Sequence, residues 1–357
     1  MYRVGISGVR RLGPARMFEL MDDCQLVAAC DSDAQARGRM AEEYPGIRVY
    51  RDLDAMLASG IDIVYVSTPV PVHAQQVVPA LAAGCHVLCE VTLGSTIEEC
   101  RAIHDAVLAH PRQKFMMAEN CCYWAYILAW RELWRKGLLG DFQYAEADYV
   151  HDLRSCLIGP DGQPTWRGRR AGITYCSHSL GPILKVIEQR ITSVVCLATG
   201  NALTPELPEH HDIMAALFTP SGGGIIKLLR AQAVAREPYY HWYSIQGTRG
   251  CLETTRPQHG PVRTHAWFQD VPHLDGMMEL PLGESVHDVP AAAREGGHGT
   301  IEYLMVRDFL DAIRHDTTPP VDIYTALDMT LPGLCAKESA ALGGQPVAVP
   351  NWRLEGA

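Results

Sequence analysis

The 357-residue sequence has no long apolar segment and little positive charge. No apolar run approaches the roughly 20 residues that a helix needs to cross a bilayer, so a membrane protein is not expected. Lys and Arg number 31 against 41 Asp and Glu, which gives a net charge of −10. A chain this acidic has no broad basic face for nucleic acid or anionic lipid. Any anion that it binds must be held by backbone amides or by a few placed basic side chains.

The 12 cysteines form no C-x-x-C pair. The only close pairs are Cys85/Cys89 and Cys121-Cys122, so the spacing does not indicate a zinc site and we expect no metal. The chain begins directly with a strand-like pattern at Tyr2–Ser7 instead of a signal peptide. We therefore expect a cytoplasmic protein whose cysteines are thiols, most of them buried as small apolar residues.

The first part of the chain alternates short apolar runs with helical patterns. This alternation predicts βαβ units and an α/β fold, a Rossmann-type doubly wound parallel sheet covered on both faces. The predicted strands are 4–7, 26–30, 63–67, 87–90 and 115–118, and the predicted helices are 15–21, 34–43, 53–59, 74–83 and 97–108.

The pattern changes near residue 121, where we place a domain boundary. Residues 1–121 are the predicted dinucleotide-binding domain, and residues 122–357 a predicted α+β domain for substrate binding and oligomerisation, with an open, largely antiparallel sheet. Its predicted strands are 142–151, 194–199, 213–219, 225–233 and 242–246, its predicted helices are 127–135, 301–315 and 324–342, and residues 221–224 form a predicted hairpin turn. Residues 253–298, rich in Pro, Gly and His, are interpreted as a long loop.

A modified dinucleotide motif follows the first predicted strand. Gly8 and Gly13 hold the outer positions of G-x-G-x-x-G, but Arg10 replaces the middle glycine and Arg11 follows it. The side chain of Arg10 could crowd the pyrophosphate or reach around it as a charged clamp, and both arginines could complicate the choice between NAD and NADP. Asp31 ends the second strand, where an acidic residue accepts hydrogen bonds from the ribose hydroxyls and favours NAD over NADP. The alternative is that Asp31 caps the next helix, a role that Asp33 fills equally well.

Polar residues also end the strands further along. The segment Thr68-Pro69 to His73 follows one predicted strand, and Glu90 ends the next. Both lie at carboxyl ends of parallel strands, where ligands of open α/β sheets bind. Asn120, at the domain boundary, is a candidate for hydrogen bonds to the ribose or the nicotinamide amide. The predicted cofactor is NAD.

These segments together resemble the glucose–fructose oxidoreductase/inositol dehydrogenase family over nearly the whole chain. Thr68-Pro69 to His73 is similar to the family's T-P-x-x-x-H loop, and residues 118–123 to its entry into the second domain. Two departures stand out. Val91 replaces the family's usual catalytic Lys, and Thr174 replaces the usual Asp four residues before the catalytic His, if His178 is that His.

Other segments resemble one branch of this family, the NAD-dependent glycosidases similar to N-acetylgalactosaminidase. The resemblance rests on residues 119–123, 151–154, 175–182, 247–250 and 296–303. It implies oxidation of a sugar C3 hydroxyl by tightly held NAD, elimination of the leaving group, addition of water and reduction of the ketone. Related members simply oxidise or reduce sugars.

The candidate acid–base pair is His178 with Tyr175. Hydride transfer from a carbinol needs a base for the hydroxyl proton, and His is suited to this near neutral pH. The two residues lie three apart, so both side chains can face one cavity. The alternative is a buried His and a core Tyr without a catalytic role.

Further residues are candidate contacts of a sugar. Arg167 begins a local basic run with Arg169 and Arg170 that could clamp an acidic sugar or a carboxylate. Asp152 could orient His151, although both could equally form a polar strand end. The complete set of candidate substrate contacts is Tyr123, Glu90, His151, Asp152, His298, Tyr303 and Arg167.

Three functions remain open on the sequence. The first is an NAD-dependent oxidoreductase that transfers hydride to or from a sugar or glycoside hydroxyl carbon, with C3 the expected position. The second is a redox-neutral NAD-dependent glycosidase or lyase. The third is a non-catalytic protein that binds NAD and sugar, motivated by the missing Lys and Asp. The family resemblance also implies a homo-oligomer, a dimer or a tetramer, built on the open sheet.

Overall fold

The computed structural model describes residues 1–9, 12–208, 210–256, 262–282, 289–295 and 298–354. The chain divides into two compact units. The first comprises Met1–Tyr123 and Val286–Leu327, and the second Trp124–Ser285 and Asp328–Ala357. The first unit therefore includes a late segment that the sequence-based division at residue 121 assigns to the second domain.

The first unit contains a six-stranded sheet in the order β3-β2-β1-β4-β5-β6, and all its paired strands are parallel. The strands are β1 (Tyr2–Ser7), β2 (Cys24–Cys30), β3 (Arg48–Tyr50), β4 (Ile63–Val66), β5 (His86–Cys89) and β6 (Phe115–Met117). The helices are α1 (Gly13–Glu19), α2 (Ala34–Glu43), α3 (Leu53–Leu57), α4 (His73–Ala82) and α5 (Ile97–Ala109), with α9 (Thr300–Arg314) added from late in the chain. The predicted Rossmann sheet is confirmed, and only the short β3 was not predicted.

Side-chain caps explain where several of these helices begin. The carboxylate of Asp33 accepts from the backbone N–H of Gln35 at the start of α2. Asp52 and Thr96 cap α3 and α5 in the same way. Each cap satisfies a backbone donor that has no partner within its own helix, so short polar residues at these positions fix the helix starts.

The second unit is built on a nine-stranded sheet in the order β14-β13-β12-β11-β7-β10-β9-β8-β15. Its strands are β7 (Phe142–Val150), β8 (Ile191–Ala198), β9 (Ile213–Pro220), β10 (Ile225–Ala231), β11 (Tyr240–Gly247), β12 (Gly250–Thr254), β13 (Thr264–Phe268), β14 (Met278–Leu280) and β15 (Val347–Ala348). Its helices are α6 (Ala125–Arg135), α7 (Arg154–Leu157) and α8 (Ser177–Ile187), while α10 (Ile323–Ala341) contributes to both units. All pairs are antiparallel except β7 with β10, so the predicted largely antiparallel sheet is confirmed.

The interpretation of residues 253–298 as one long loop is wrong in part. The strand β12 extends to Thr254, and β13 and β14 both lie inside this stretch. Residues of β13 alternate between buried and half-buried positions because successive side chains of a strand point to opposite faces of the sheet. The strand pairs with β12 on one side and β14 on the other. Five residues are too few for this alternation to stand out from the surrounding Pro, Gly and His.

The cysteines behave as small apolar residues. All 12 are free, and all but Cys156 and Cys251 are buried. Burial raises the pKa of the Cys24 thiol to about 12 and that of Cys30 to about 11. Such thiols stay protonated at neutral pH and are poor nucleophiles, so they serve the core.

A tight turn joins β1 to α1 and lies against the loop after β4. Gly8 has a φ of 85° in this turn, a conformation that favours glycine. A Cβ at this position would lie 2.8 Å from the backbone nitrogen of Thr68 and 2.9 Å from the carbonyl carbon of Ser67. The turn can therefore lie this close to the neighbouring loop only because the residue has no side chain.

We expect Gly8→Ala to lower the free energy of unfolding by about 1–3 kcal/mol, because it adds both backbone strain and a clash with main-chain atoms. Gly38→Ala is the matched control, since Gly38 lies within α2 and a Cβ there meets nothing within 4 Å. That change should stabilise the protein by up to about 1 kcal/mol. Urea unfolding measures both, and equal stability of the two variants would contradict the account of the turn.

Candidate active site

The first unit holds a set of residues at the carboxyl ends of β1 and β2 that fits a dinucleotide. The carboxylate of Asp31 accepts from the backbone N–H of Val9 at 3.1 Å and from that of Asp33 at 2.9 Å. Because Asp33 itself caps α2, Asp31 is not the helix cap and lies beside the glycine turn. This is where a ribose-binding carboxylate is required. Arg10 and Arg11, the predicted pyrophosphate clamps, lie outside the described residues.

Gly13, at the third glycine position of the motif, lies close to a side chain from late in the sequence. Gly13 begins α1, and a Cβ there would lie 2.7 Å from Oε1 of Glu302, a buried residue of α9. The space that glycine leaves is therefore filled by a carboxylate from late in the sequence. No local pattern around Gly13 could have indicated this neighbour.

His73 joins the two loops that follow β4 and β5. Its ring is fully buried, with Nδ1 at 2.8 Å from the carbonyl oxygen of Thr92 and Nε2 at 3.0 Å from that of Thr68. A neutral imidazole donates from one nitrogen only, so His73 forms a hydrogen bond to the carbonyl of one loop and lies in contact with that of the other. The predicted cofactor contact of His73, with that of Pro69 beside it, stays a prediction, and the geometry gives His73 a positioning role in the loop.

Several buried polar side-chain atoms of this unit have no hydrogen-bond partner among the described residues. Oγ1 of Thr68 and Oδ1 of Asn120 are among them, and both belong to predicted cofactor-binding residues. Buried polar atoms are normally hydrogen-bonded, and an exception calls for an explanation such as a ligand. A hydroxyl and an amide oxygen suit the ribose hydroxyls and the amide of a nicotinamide nucleotide, so the residues present fit the predicted group.

Glu90 follows β5 and is held by a buried tyrosine. The hydroxyl of Tyr65 donates to Oε1 of Glu90 at 2.5 Å. Burial, followed by the charge of Glu90, raises the pKa of Tyr65 well above its ordinary value, so this tyrosine is a fixed donor. Val91, at the position of the family's usual Lys, is buried and supplies no charge.

The remaining candidates of the first unit are distributed around α9. Tyr123 is buried, and burial together with nearby Asp308 raises the pKa of its phenol well above its ordinary value. Tyr303 is buried on α9, whereas His298 is exposed in the turn before that helix. Tyr123, Tyr303 and His298 stay predicted substrate contacts.

In the second unit the structure brings the predicted acid–base pair together. Tyr175 ends a 3₁₀ turn and His178 lies in the first turn of α8. Their rings meet edge to face, with centroids 5.1 Å apart. Both side chains are partly exposed, so they can reach a ligand.

Tyr149 on β7 links this pair to two further histidines. Its ring stacks on that of His241 with centroids 4.0 Å apart and meets His178 edge to face at 5.9 Å. Its hydroxyl lies 3.1 Å from Nδ1 of His151. Sequence reasoning missed Tyr149 and His241. The one available signal was that Tyr149 and His151 lie two apart at the end of a strand.

The carboxylate of Asp152 pairs with the guanidinium of Arg154, with Oδ2 at 2.6 Å from Nη2, and this interaction above all holds the pKa of Asp152 below its ordinary value. The charge of Asp152 also interacts with His151, and the predicted orienting role of Asp152 stays a prediction. His151 further contacts the hydroxyl of Tyr149 and stacks on Tyr239, with ring centroids 4.6 Å apart.

Two arginine guanidinium groups lie on the tyrosines beside His178. Cζ of Arg230 lies 3.9 Å from the ring centroid of Tyr149, and Cζ of Arg170 lies 5.1 Å from that of Tyr175. Nε of Arg170 also donates to Oγ1 of Thr174 at 2.8 Å. The predicted contact Arg167 lies nearby along the chain, with its Cζ 4.2 Å from the ring centroid of Trp166. We call Tyr149, Tyr175, His178 and the two guanidiniums of Arg170 and Arg230 the His–Tyr–Arg cluster.

Comparison with known proteins assigns both units. Residues 2–118 match the model of the oxidoreductase family with an NAD-binding Rossmann fold, and residues 209–354 match that of the C-terminal domain of glycosyl hydrolase 109. Both matches confirm the predicted family. The first match likewise confirms the predicted cofactor, NAD, and with the curated relatives it identifies the protein as an NAD-dependent enzyme.

Individual relatives agree with these matches. A glycosyl hydrolase family 109 protein of Solibacter usitatus is 28% identical, and the alignment covers 98% of this chain and 88% of that protein. An oxidoreductase domain protein from Kribbella flavida has a similar fold, with a TM-score of 0.85, 21% identity and coverage of 98% of this chain and 100% of that one. Levoglucosan dehydrogenase in complex with NADH and levoglucosan has a TM-score of 0.83 at 18% identity, covering 98% and 100% of the respective chains.

Among the helices of the described residues, none combines the length and the apolar character that a bilayer span requires.

The carboxylate of Asp31 is predicted to favour NAD over NADP. We expect Asp31→Ser to weaken NADH binding at least about tenfold while weakening NADPH binding less, because the variant loses ribose hydrogen bonds and no longer repels a 2′-phosphate. Fluorescence titration with each nucleotide measures the ratio.

Asp33→Ala is the matched control for this change. It removes the cap of α2 and costs about 1 kcal/mol of stability, but should leave the ratio of the two affinities unchanged. An unchanged ratio in Asp31→Ser, or a shifted one in Asp33→Ala, would show that Asp31 does not select the nucleotide.

Proposed function

We propose that this protein is an NAD-dependent oxidoreductase that transfers hydride to or from a hydroxyl-bearing carbon of a sugar or glycoside, with C3 the expected position. The observation that carries the proposal is the contact between the rings of His178 and Tyr175. These residues lie in the second unit, part of which falls within the match of residues 209–354 to the glycosyl hydrolase 109 C-terminal domain. Sugar chemistry is supported by the relatives named above, one of which was solved with NADH and levoglucosan.

In this proposal the first unit holds NAD through the turn at Gly8, the carboxylate of Asp31 and the polar atoms of Thr68 and Asn120. The nicotinamide ring, when bound, supplies the hydride acceptor and donor. Glu90, fixed by Tyr65, adds a carboxylate at the end of β5 that can accept from a hydroxyl or an amide.

The chain's own contribution to catalysis is proton transfer. Hydride leaves a carbinol carbon readily only as the hydroxyl proton is removed, so a base must lie within hydrogen-bond reach of that oxygen. His178 is the proposed base, and Tyr175, in contact with it, is the second proton carrier. The guanidinium of Arg170 on the Tyr175 ring can stabilise negative charge that develops on the phenol oxygen during the transfer. Together they take the place of the missing Lys and Asp.

A second function is favoured by one observation. Residues 209–354 match a glycosyl hydrolase domain, which fits redox-neutral cleavage through oxidation, elimination, water addition and reduction. This route exchanges the C2 proton with solvent and forms no net NADH. Entry of solvent deuterium at C2 together with release of the aglycone selects the glycosidase, whereas NADH accumulation with C2 hydrogen retained selects the dehydrogenase.

We expect His178→Ala to bind NAD normally but to lose at least about a hundredfold in turnover, the usual contribution of a general base. Tyr175→Phe should lose less, since the imidazole remains. The measurement is NADH formation at 340 nm with a panel of sugars and glycosides, beside an NADH-binding titration.

His265→Ala is the matched control for the base. His265 is a partly buried histidine of β13 in the same sheet and takes no part in the His–Tyr–Arg cluster. Wild-type turnover in His178→Ala would exclude this residue as the base. If NAD binds but no sugar supports hydride exchange, the proposed function is excluded and a binding protein is favoured.

We further propose that the protein is a cytoplasmic homo-oligomer, a dimer or a tetramer. Support comes from the sheet of the second unit, where Leu197, Leu217 and Ile225 are 61%, 49% and 48% exposed on β8, β9 and β10. Apolar side chains on an open sheet face favour burial against a second copy. Light scattering tests this, and a monomer at micromolar concentration would contradict it. The free thiols support a reducing compartment.

A further inference from the structure

We propose that the sugar bound by the His–Tyr–Arg cluster carries a carboxylate, and that Arg230 binds this carboxylate side-on through Nε and Nη2. The inference rests on the proposed function, because it takes the ligand to be a sugar, and it adds the chemical class of that sugar. The substrate would be a uronic acid or a glycoside of one.

Arg230 is an unusual residue for a sheet interior. It lies on β10 and is 1% exposed. Nη1 donates to the carbonyl oxygen of Tyr149 at 3.2 Å and to that of Ala231 at 2.7 Å. These two bonds use both hydrogens of Nη1 and fix the plane of the guanidinium against the Tyr149 ring.

The other two nitrogens of this guanidinium are not used by the protein. Nε and Nη2 are buried and have no hydrogen-bond partner among the described residues, and no described carboxylate lies within ion-pair distance of Arg230. In arginine these two nitrogens present parallel N–H groups along one edge. This edge matches the two oxygens of a carboxylate in a bidentate pair. The unsatisfied edge of Arg230 is therefore complementary to a carboxylate.

A second cation, Arg170, lies near Arg230. Arg170 lies close enough to be affected by the charge of Arg230, and burial above all lowers the pKa of Arg170 to about 10. Burial also lowers the pKa of Arg230. Taking a guanidinium out of water is costly unless it is paired, and stacking on an aromatic ring offsets only part of that cost.

Among the described residues, the acidic groups around Arg230 include no carboxylate. The groups with favourable charge interactions with Arg230 are Tyr149, Tyr175 and Cys176. Cys176 is fully buried and its thiol donates to the carbonyl oxygen of Met329 at 3.6 Å. Two phenols and a thiol do not supply the pair of carboxylate oxygens that matches the unused edge of Arg230.

Arg230 is linked to the proposed base through the tyrosines of the cluster. Tyr149 and Tyr175 both contact the ring of His178, and each carries one of the two guanidiniums. Arg230 and His178 both contact the ring of Tyr149, so only this one side chain separates an anion bound to Arg230 from the proposed base. That separation suits a carboxylate and a reacting hydroxyl on one sugar ring.

The first test uses the wild-type protein saturated with NAD and compares ligands that differ in one group. D-glucuronate and D-galacturonate are titrated calorimetrically beside D-glucose, D-galactose and D-glucuronamide, whose amide keeps the shape of the acid without its charge. We expect at least one acid to bind about tenfold or more tightly than its neutral parent, because the neutral sugar lacks a charged hydrogen bond to Arg230. If that acid is glucuronate, it should also bind about tenfold or more tightly than glucuronamide. Equal affinities for the acids, their neutral parents and the amide would overturn the carboxylate assignment.

The second test changes the guanidinium. Arg230→Lys keeps the charge but cannot pair bidentately, so the preference for the acid should fall about tenfold or more while the affinity for the neutral sugar changes little. Arg256→Lys is the matched control, because Arg256 stacks on Trp242 at 4.3 Å in the same unit and pairs with Asp148. A thermal melt verifies folding. If Arg230→Lys fails to fold, the comparison of acid and amide on the wild type still decides.

Failure of the inference and failure of the proposed function give different results. Binding of the acid with no hydride exchange for any sugar would overturn the oxidoreductase and keep the carboxylate site. Turnover of neutral and acidic sugars alike, with Arg230→Lys reducing both equally, would overturn the carboxylate site and keep the oxidoreductase.

Discussion

The candidate site of the second unit depends on the register of three strands. Tyr149 on β7 is directly opposite Arg230 on parallel β10 and directly opposite His241 on antiparallel β11. One row across the sheet therefore sets a guanidinium and an imidazole on the two sides of one phenol ring. A slip by one residue would turn Tyr149 to the other face and replace it with Asp148 or Val150. The contacts of His151 and His178 with Tyr149 would be lost with it.

Local patterns were sufficient to predict the fold. The parallel strands and their helices follow from short apolar runs and from caps such as Asp33, which act within a few residues. The late strands β13 and β14 could not be predicted in this way, because they are short and their stability comes from pairing at the edge of a sheet formed by distant residues. The packing of Glu302 against Gly13 likewise joins positions far apart in sequence.

The same distinction applies to the site. His178 and Tyr175 could be predicted because they are neighbours in sequence and their residue types suit proton transfer. Tyr149, Arg230 and His241 come from three strands, and nothing in a linear sequence states which residues face each other across them. Arg230 in particular sits in an apolar run, where a lone arginine gives no indication of being buried with two donors unused.

The departures from the family pattern acquire a physical meaning at this site. Thr174, at the position of the usual Asp, accepts a hydrogen bond from Nε of Arg170. An Asp at 174 would accept the same bond and also cancel the charge of that guanidinium, whereas a hydroxyl leaves the charge in place. Val91 in turn removes the usual cationic side chain from the end of β5. The exchange of Lys and Asp for Val and Thr thus removes one charge of each sign and leaves the positive charge on two arginines, fixed beside the proposed base.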